Sequence, residues 1–134
     1  MSLYVDTSAL LKRYVDEPES PTAERYLLAD PSWITARHTR IEIRRNLARL
    51  LQGPPLARAR TAFEIDWKRI HVVELDEITC DIAVQLAESS GLRTLDALHL
   101  AALRRLGDAA IPLLSFDVRQ AQAARALGLT ALGA

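Results

Sequence analysis

Short apolar runs alternate with longer helical stretches along the whole chain, and this alternation narrows the possible folds more than any other feature. The runs are "LYV" (3–5), "WIT" (33–35), "IHVVEL" (70–75), "IPLLSF" (111–116) and "LTAL" (129–132). Being apolar on consecutive rather than alternate positions, they suit strands buried on both faces, the condition found in parallel sheets. Helical spacing covers about 7–15, 20–29, 37–52, 55–68, 77–90, 94–106 and 117–127. Gly53 with Pro54 and Pro55 punctuates one boundary, Gly91, Gly107 and Gly128 follow other helices, and Thr94 is a predicted N-cap. Strands that alternate with helices predict an α/β protein: a three-layer α/β/α sandwich with a small central parallel sheet. No repeat and no linker interrupts the 134 residues, so one domain over 1–134 is expected.

Composition excludes some functions and leaves others open. The single cysteine, Cys80, forms no internal disulfide, which suits a reducing cytoplasm. The opening "MSLYVDTSALLKRYVDEPES" has no basic segment followed by a long apolar run, and no stretch is long enough to cross a bilayer. A cytoplasmic chain without membrane contact is therefore expected. Net charge is zero, which argues against a basic nucleic-acid binder over its whole length. The charge is unevenly spread, however. Residues 1–36 carry three basic and six acidic groups, 37–69 nine and three, and 70–134 five and eight. The positive middle can attract a polyanion, and it can equally be a set of solvated helix faces. Among 17 basic residues only Lys12 and Lys68 are lysine, a bias that suits bidentate phosphate contacts.

Four acids stand at informative places. Asp6 directly follows the first predicted strand and Asp117 the fourth, and function in open parallel sheets gathers at the carboxyl ends of strands. Either alone is explained as a helix N-cap. Asp96 falls in the first turn of a helix that is apolar on most sides; the helix dipole favours an acid there, but burial would demand a hydrogen bond, a cation or a metal. Glu42 borders the stripe Ile43, Leu47, Leu50 and Leu51, where Arg45 and Arg49 offer ordinary surface pairing. If the four converge, their mutual repulsion requires a cation. Carboxylate oxygens favour Mg²⁺ or Mn²⁺, whereas zinc would want a Cys or His cluster with ligand spacing.

These residues and their order resemble the PIN-domain nucleases, and in particular the VapC-like toxins of bacterial type II toxin–antitoxin pairs. Four stretches carry the likeness: "YVDTSALLKRY" (4–14), "RIEIRRNLARL" (40–50), "GLRTLDALHLAAL" (91–103) and "LLSFDVRQAQAARALGL" (113–129). The resemblance implies a PIN-like fold and a site in which Asp6, Glu42, Asp96 and Asp117 hold one or two Mg²⁺ or Mn²⁺ ions. Thr7 and Ser115 would hydrogen-bond within it, Ser115 standing where threonine is frequent. It further implies endoribonuclease activity on RNA leaving 5′-phosphate and 3′-hydroxyl ends, inhibition by a cognate antitoxin, and a homodimer. Arg40, Arg44 and Arg45 share the Glu42 helix and are candidates for tracking the RNA backbone. A PIN-type nuclease acting in RNA processing or on DNA, and a non-catalytic PIN-like binding module, are the alternatives.

Other residues are given ordinary roles. His99, three residues after Asp96, reads as a satisfied core histidine. His38 is a candidate RNA contact and His71 lies in a predicted strand. Cys80 lacks a basic neighbour that would activate it. Neither Ser8 nor Ser115 stands in a G-x-S-x-G turn, no phosphate-binding glycine loop is present, and residue 8 is serine where a D-x-D phosphatase would have its second acid.

Overall fold

The computed structural model describes residues 1–134. Five strands form one sheet in the order β3-β2-β1-β4-β5, and every neighbouring pair is parallel. They are β1 (Ser2–Val5), β2 (Ser32–Ala36), β3 (His71–Val73), β4 (Leu113–Ser115) and β5 (Ala131–Gly133). The helices are α1 (Thr7–Leu11), α2 (Ser20–Ala29), α3 (Thr39–Leu50), α4 (Gly53–Trp67), α5 (Glu77–Ser90), α6 (Thr94–Arg105) and α7 (Val118–Ala126).

Side chains of adjacent strand residues point to opposite faces, and the two cores divide accordingly. Leu3 and Val5 pack with Leu10 of α1, Leu27 of α2, Ile43 and Leu47 of α3, and Phe63 of α4. Tyr4 packs on the other side with Ile34, Leu86 of α5, Leu100 and Leu103 of α6, and Ala124 of α7. Both faces are therefore covered, as continuous apolar strands require. This is the expected three-layer α/β/α architecture.

The differences from the sequence reading lie at element ends. The edge strand β3 stops at Val73 rather than running to Leu75, because its only partner, β2, pairs through Ile34, Thr35 and Ala36 and then ends. The other edge strand, β5, begins at Ala131 in register with Leu113. α1 ends at Leu11, not near Val15. Beyond it the backbone tightens into i→i−3 bonds from Lys12, Arg13 and Tyr14, while Arg13 and Tyr14 reach Asp66 of α4 at 2.8 and 2.7 Å. The N-cap of α6 is Arg93, with extended backbone and no capping side chain, and Thr94 is its first helical residue.

The chain builds outward from β1 through β2 to β3, then crosses to β4 and β5 on the other side. The strand order thus reverses between β1 and β4, and the crevice at their carboxyl ends is where such sheets bind ligands. Asp6 and Asp117 stand at those two ends, the Asp6 amide donating to the Leu114 carbonyl at 3.2 Å.

Candidate active site

Asp6 ends β1 and caps α1. Its Oδ1 accepts from the Ser8 hydroxyl at 2.6 Å and the Ala9 amide at 3.1 Å. Ser8 Oγ in turn accepts from the Phe116 amide at 2.9 Å and lies 3.4 Å from Ser115 Oγ. One hydroxyl therefore ties the end of β1 to the end of β4. Across the crevice, Asp117 caps α7, its Oδ1 accepting from the amides of Arg119 and Gln120 at 2.9 and 3.2 Å. Ser115 Oγ accepts from the Asp117 amide at 3.1 Å. Gly133 lies close behind: a Cβ there would sit 2.5 Å from the Ser115 carbonyl oxygen, and its φ of +98° suits glycine alone.

Glu42 approaches from α3. Its Oε1 accepts from the Thr7 hydroxyl at 2.7 Å and lies 3.0 Å from His99 Nε2 and 3.4 Å from His38 Nε2. A carboxylate only accepts, so the proton rests on Nε2 of His99, which is also 3.1 Å from Thr7 Oγ1. Burial, with the nearby negative charges of Asp6 and Glu42, pushes the Tyr4 phenol well above its usual range; it remains a donor and reaches His99 Nδ1 at 2.9 Å. Burial alone would raise Glu42. The bonds from His99 and Thr7 outweigh it and hold the carboxyl below its usual value. His38, whose ring centroid lies 4.2 Å from that of His99, is lowered to about 4 by burial and that neighbour, so it is neutral near pH 7. Its Nε2 faces the Leu95 carbonyl at 3.2 Å, and its buried Nδ1 has no partner.

Asp96 sits in the first turn of α6, half-buried, with Arg93 Nε 3.9 Å from its Oδ2. Burial raises its carboxyl, and the negative charges of Asp117 and Asp6 raise it further. Asp6 is raised as well, chiefly by burial, although His99 and nearby hydroxyls pull against it. The fold thus brings Asp6, Asp96 and Asp117 into one negative field, with Glu42 held beside Thr7, the residue that follows Asp6.

One oxygen each of Asp6, Glu42 and Asp117 is tied to the chain, and their second oxygens receive none of these bonds. Hard oxygen donors fit a divalent cation, with Asp6 raised by burial and Asp96 by burial and by like charge. A second group of donors adjoins them: the ligand atoms of His38, Glu42 and His99 all lie within 4.8 Å of one another.

The arginine candidates are placed differently. Arg40 and Arg44 pair with Glu64 of α4 at 2.9 and 3.0 Å, and Arg45 is exposed. Arg49 bonds Asn46 rather than Glu42, so the surface pairing open to Glu42 in the sequence does not form; its partners are Thr7 and the two histidines. Sequence reasoning missed the parts played by His99, His38 and Ser8. His38 lies four residues before Glu42 and His99 three after Asp96, helical spacings that could have marked both.

The chain is thus an α/β/α domain with acidic residues gathered at its strand-order reversal. The chain belongs to the PIN-domain family, whose model matches residues 3–126. It is 34% identical to "Ribonuclease VapC46" of Mycobacterium tuberculosis over 131 residues, covering 98% of this chain and 96% of that one. With "Ribonuclease VapC47" of the same species it shares 29% identity over 130 residues, covering 94% and 92%. Among solved structures, VapC20 of M. tuberculosis, described as a sarcin-ricin loop cleaving toxin, superimposes with a TM-score of 0.70 at 21% identity, covering 90% of this chain and 94% of that one. FitAcB of Neisseria gonorrhoeae superimposes with a TM-score of 0.72 at 18% identity, covering 98% and 96%. A toxin–antitoxin complex from Klebsiella pneumoniae does so with a TM-score of 0.70 at 15% identity, covering 89% of each chain. These structural likenesses establish the fold.

Proposed function

We propose that this protein is a metal-dependent endoribonuclease toxin that hydrolyses RNA phosphodiester bonds and is neutralised by a cognate antitoxin. The observation that carries this reading is the gathering of Asp6, Asp96 and Asp117 at the strand-order reversal of a PIN domain, with Asp6 and Asp96 both raised by burial. RNA as substrate is supported by the relative named a ribonuclease, which matches nearly the whole chain at 34% identity. The toxin role, the antitoxin and a homodimer follow the resemblance of the four acidic stretches to VapC-like toxins.

Asp6 and Asp96 are the principal holders of the ion, with Asp117 on the α7 side and Glu42 on the α3 side; Mg²⁺ or Mn²⁺ suits an all-carboxylate set. Such an ion, when bound, makes water more acidic and offsets charge developing on the phosphate. The protein's own part is positioning. Thr7 and His99 hold Glu42 ionised through Oε1, leaving Oε2 to orient the attacking water. Tyr4 fixes the ring of His99 from behind. Asp6 and Asp117 are locked by caps and by Ser8, so the acids keep their spacing while the substrate changes. Water attacks phosphorus, the bond to the 3′ oxygen breaks, and the products implied by the family are a 5′-phosphate and a 3′-hydroxyl.

The test is cleavage of labelled RNA by the purified protein with Mg²⁺ or Mn²⁺, beside Asp6→Asn and Asp96→Asn. Equal cleavage by all three would sink the assigned centre. Growth arrest on expression, lost in Asp6→Asn, tests the toxin role.

A further inference from the structure

A cleft of about 320 Å³ opens beside the acidic centre, between the start of α6 and the outer face of α7. Its lining includes Asp96 itself, Arg93, Arg119, Ser90, Gln122 and Ala123. Arg93 is the N-cap residue of α6; its side chain is 75% exposed, and its Nε stands 3.9 Å from Asp96, beyond hydrogen-bonding distance. Arg119 is two residues after Asp117, and its own amide donates to that carboxylate. The Arg119 guanidinium has no carboxylate within 4.0 Å, and the only one within that distance of Arg93 is Asp96. Two guanidinium groups without hydrogen-bonded carboxylate partners thus share a cleft with Asp96.

We propose that Arg93 and Arg119 grip the RNA nucleotide next to the bond being cut, its phosphate between the two guanidinium groups and its base in the cleft. This rests on the ribonuclease reading above. A polynucleotide whose scissile phosphate meets Asp6 and Asp96 must lay a neighbouring nucleotide against an adjoining surface, and this cleft has Asp96 as part of its wall. Guanidinium groups bind phosphate bidentately and stack on bases. Ser90 and Gln122 offer hydrogen bonds to a base edge, while Ala123 and its apolar neighbours Leu92 and Ala126 offer a face for stacking. An acidic peptide fits less well, because its carboxylate side chains carry no ring to stack on the apolar wall.

The test compares Arg93→Ala, Arg119→Ala and the double variant with wild type, using single-stranded RNA, Mn²⁺ and a series of salt concentrations. Arg104→Ala, at the far end of α6 and outside the cleft, is the control. Loss of a phosphate contact weakens binding across sequences, so KM should rise about tenfold per arginine, with kcat changed less than about threefold. The slope of log(kcat/KM) against log salt should become shallower by about 0.7 for each arginine removed. Arg119→Lys should recover the salt slope and only part of the KM. Both arginines are exposed, so unchanged thermal melts should accompany these effects. Wild-type KM and salt slope in the double variant would overturn the proposal. So would a fall in kcat at constant KM, which would place the arginines' effect in the acidic centre instead. RNA kinetics left intact while antitoxin binding is lost would assign the cleft to a protein partner. Wild-type protein that cuts no RNA would overturn the ribonuclease reading and this proposal together, a result distinct from the others.

Discussion

Asp96 lies among leucines and alanines of α6, its carboxyl raised by burial and by the charges of Asp117 and Asp6. Such a group has little use in packing, since a leucine would bury more apolar surface without any desolvation cost. Replacing Asp6 or Asp96 by Asn keeps shape and hydrogen-bonding capacity but removes charge. Each variant should lose about 10²–10³-fold in kcat, as when one electrostatic contact to a developing charge is removed, with a melting temperature in EDTA no lower than that of wild type. Rates under single-turnover conditions would check this. His99 makes the complementary case. It is buried as the sequence suggested, but its two ring nitrogens connect Tyr4 to Glu42. His99→Gln should weaken Mn²⁺ binding about 10–100-fold, the usual effect of losing a group that orients a ligand, measured by calorimetric titration. Undiminished affinity would return His99 to simple packing. The link was illegible in the sequence because it joins residues from β1, α3 and α6, which only the fold brings together. The positions of the acids were legible one by one: Asp6 and Asp117 after a strand, Asp96 in a first helical turn, and Glu42 beside an apolar helical stripe.

At the level of elements, Asp117 does two things at once: it belongs to the acidic centre and its Oδ1 caps α7. The sequence left these as alternatives, and the structure shows that one oxygen makes the cap while the other is left over. The two parts can be separated experimentally. Asn caps as well as Asp, whereas Ala cannot and costs about 1 kcal/mol. Asp117→Asn should therefore lower RNA cleavage while leaving the melting curve in place. Asp117→Ala should lower both, by roughly 3 °C in melting temperature. Equal melting losses in the two variants would show that the cap geometry differs from that described. A similar economy explains why strand identities were readable but strand ends were not. The length of β3 is set by where β2 stops, and that of β5 by the three residues of β4 it pairs with. Neither limit is written in the local apolar pattern. The short α1 has the same kind of cause, since Arg13 and Tyr14 are drawn to Asp66 more than fifty positions away in the chain.

For the whole molecule, the acidic centre sets an opposition between folding and charge. Asp6 and Asp96 have folded-state pKa values raised above their ordinary ones. The folded protein therefore binds protons there more tightly than the unfolded chain does. Their contribution to stability is fully present below the ordinary aspartate pKa and is lost as pH rises through the raised values. Glu42 and His38 are shifted down, and act the other way: their contribution is present above their ordinary values and lost as pH falls through the lowered ones, for His38 from about 6.5 towards about 4. The net pH trend of the protein alone is a sum of opposing parts, but the increment produced by a divalent cation is simpler. The cation competes with protons at Asp6 and Asp96, so its stabilisation should be small where both are protonated and grow as pH rises through their raised values. At a free concentration 100 times its Kd, a cation bound only by the folded state adds about 2.7 kcal/mol, a shift of several degrees in melting temperature for a chain of this size. Thermal melts with EDTA and with Mn²⁺, taken from pH 4 to pH 8, should therefore diverge progressively toward neutral pH. The divergence should vanish in Asp6→Asn/Asp96→Asn, which should also melt higher than wild type in EDTA near pH 7 because a buried repulsion has been removed. A cation increment independent of pH, or one that survives in the double variant, would show that the ion binds elsewhere, and the His38–Glu42–His99 group would then be the site to examine.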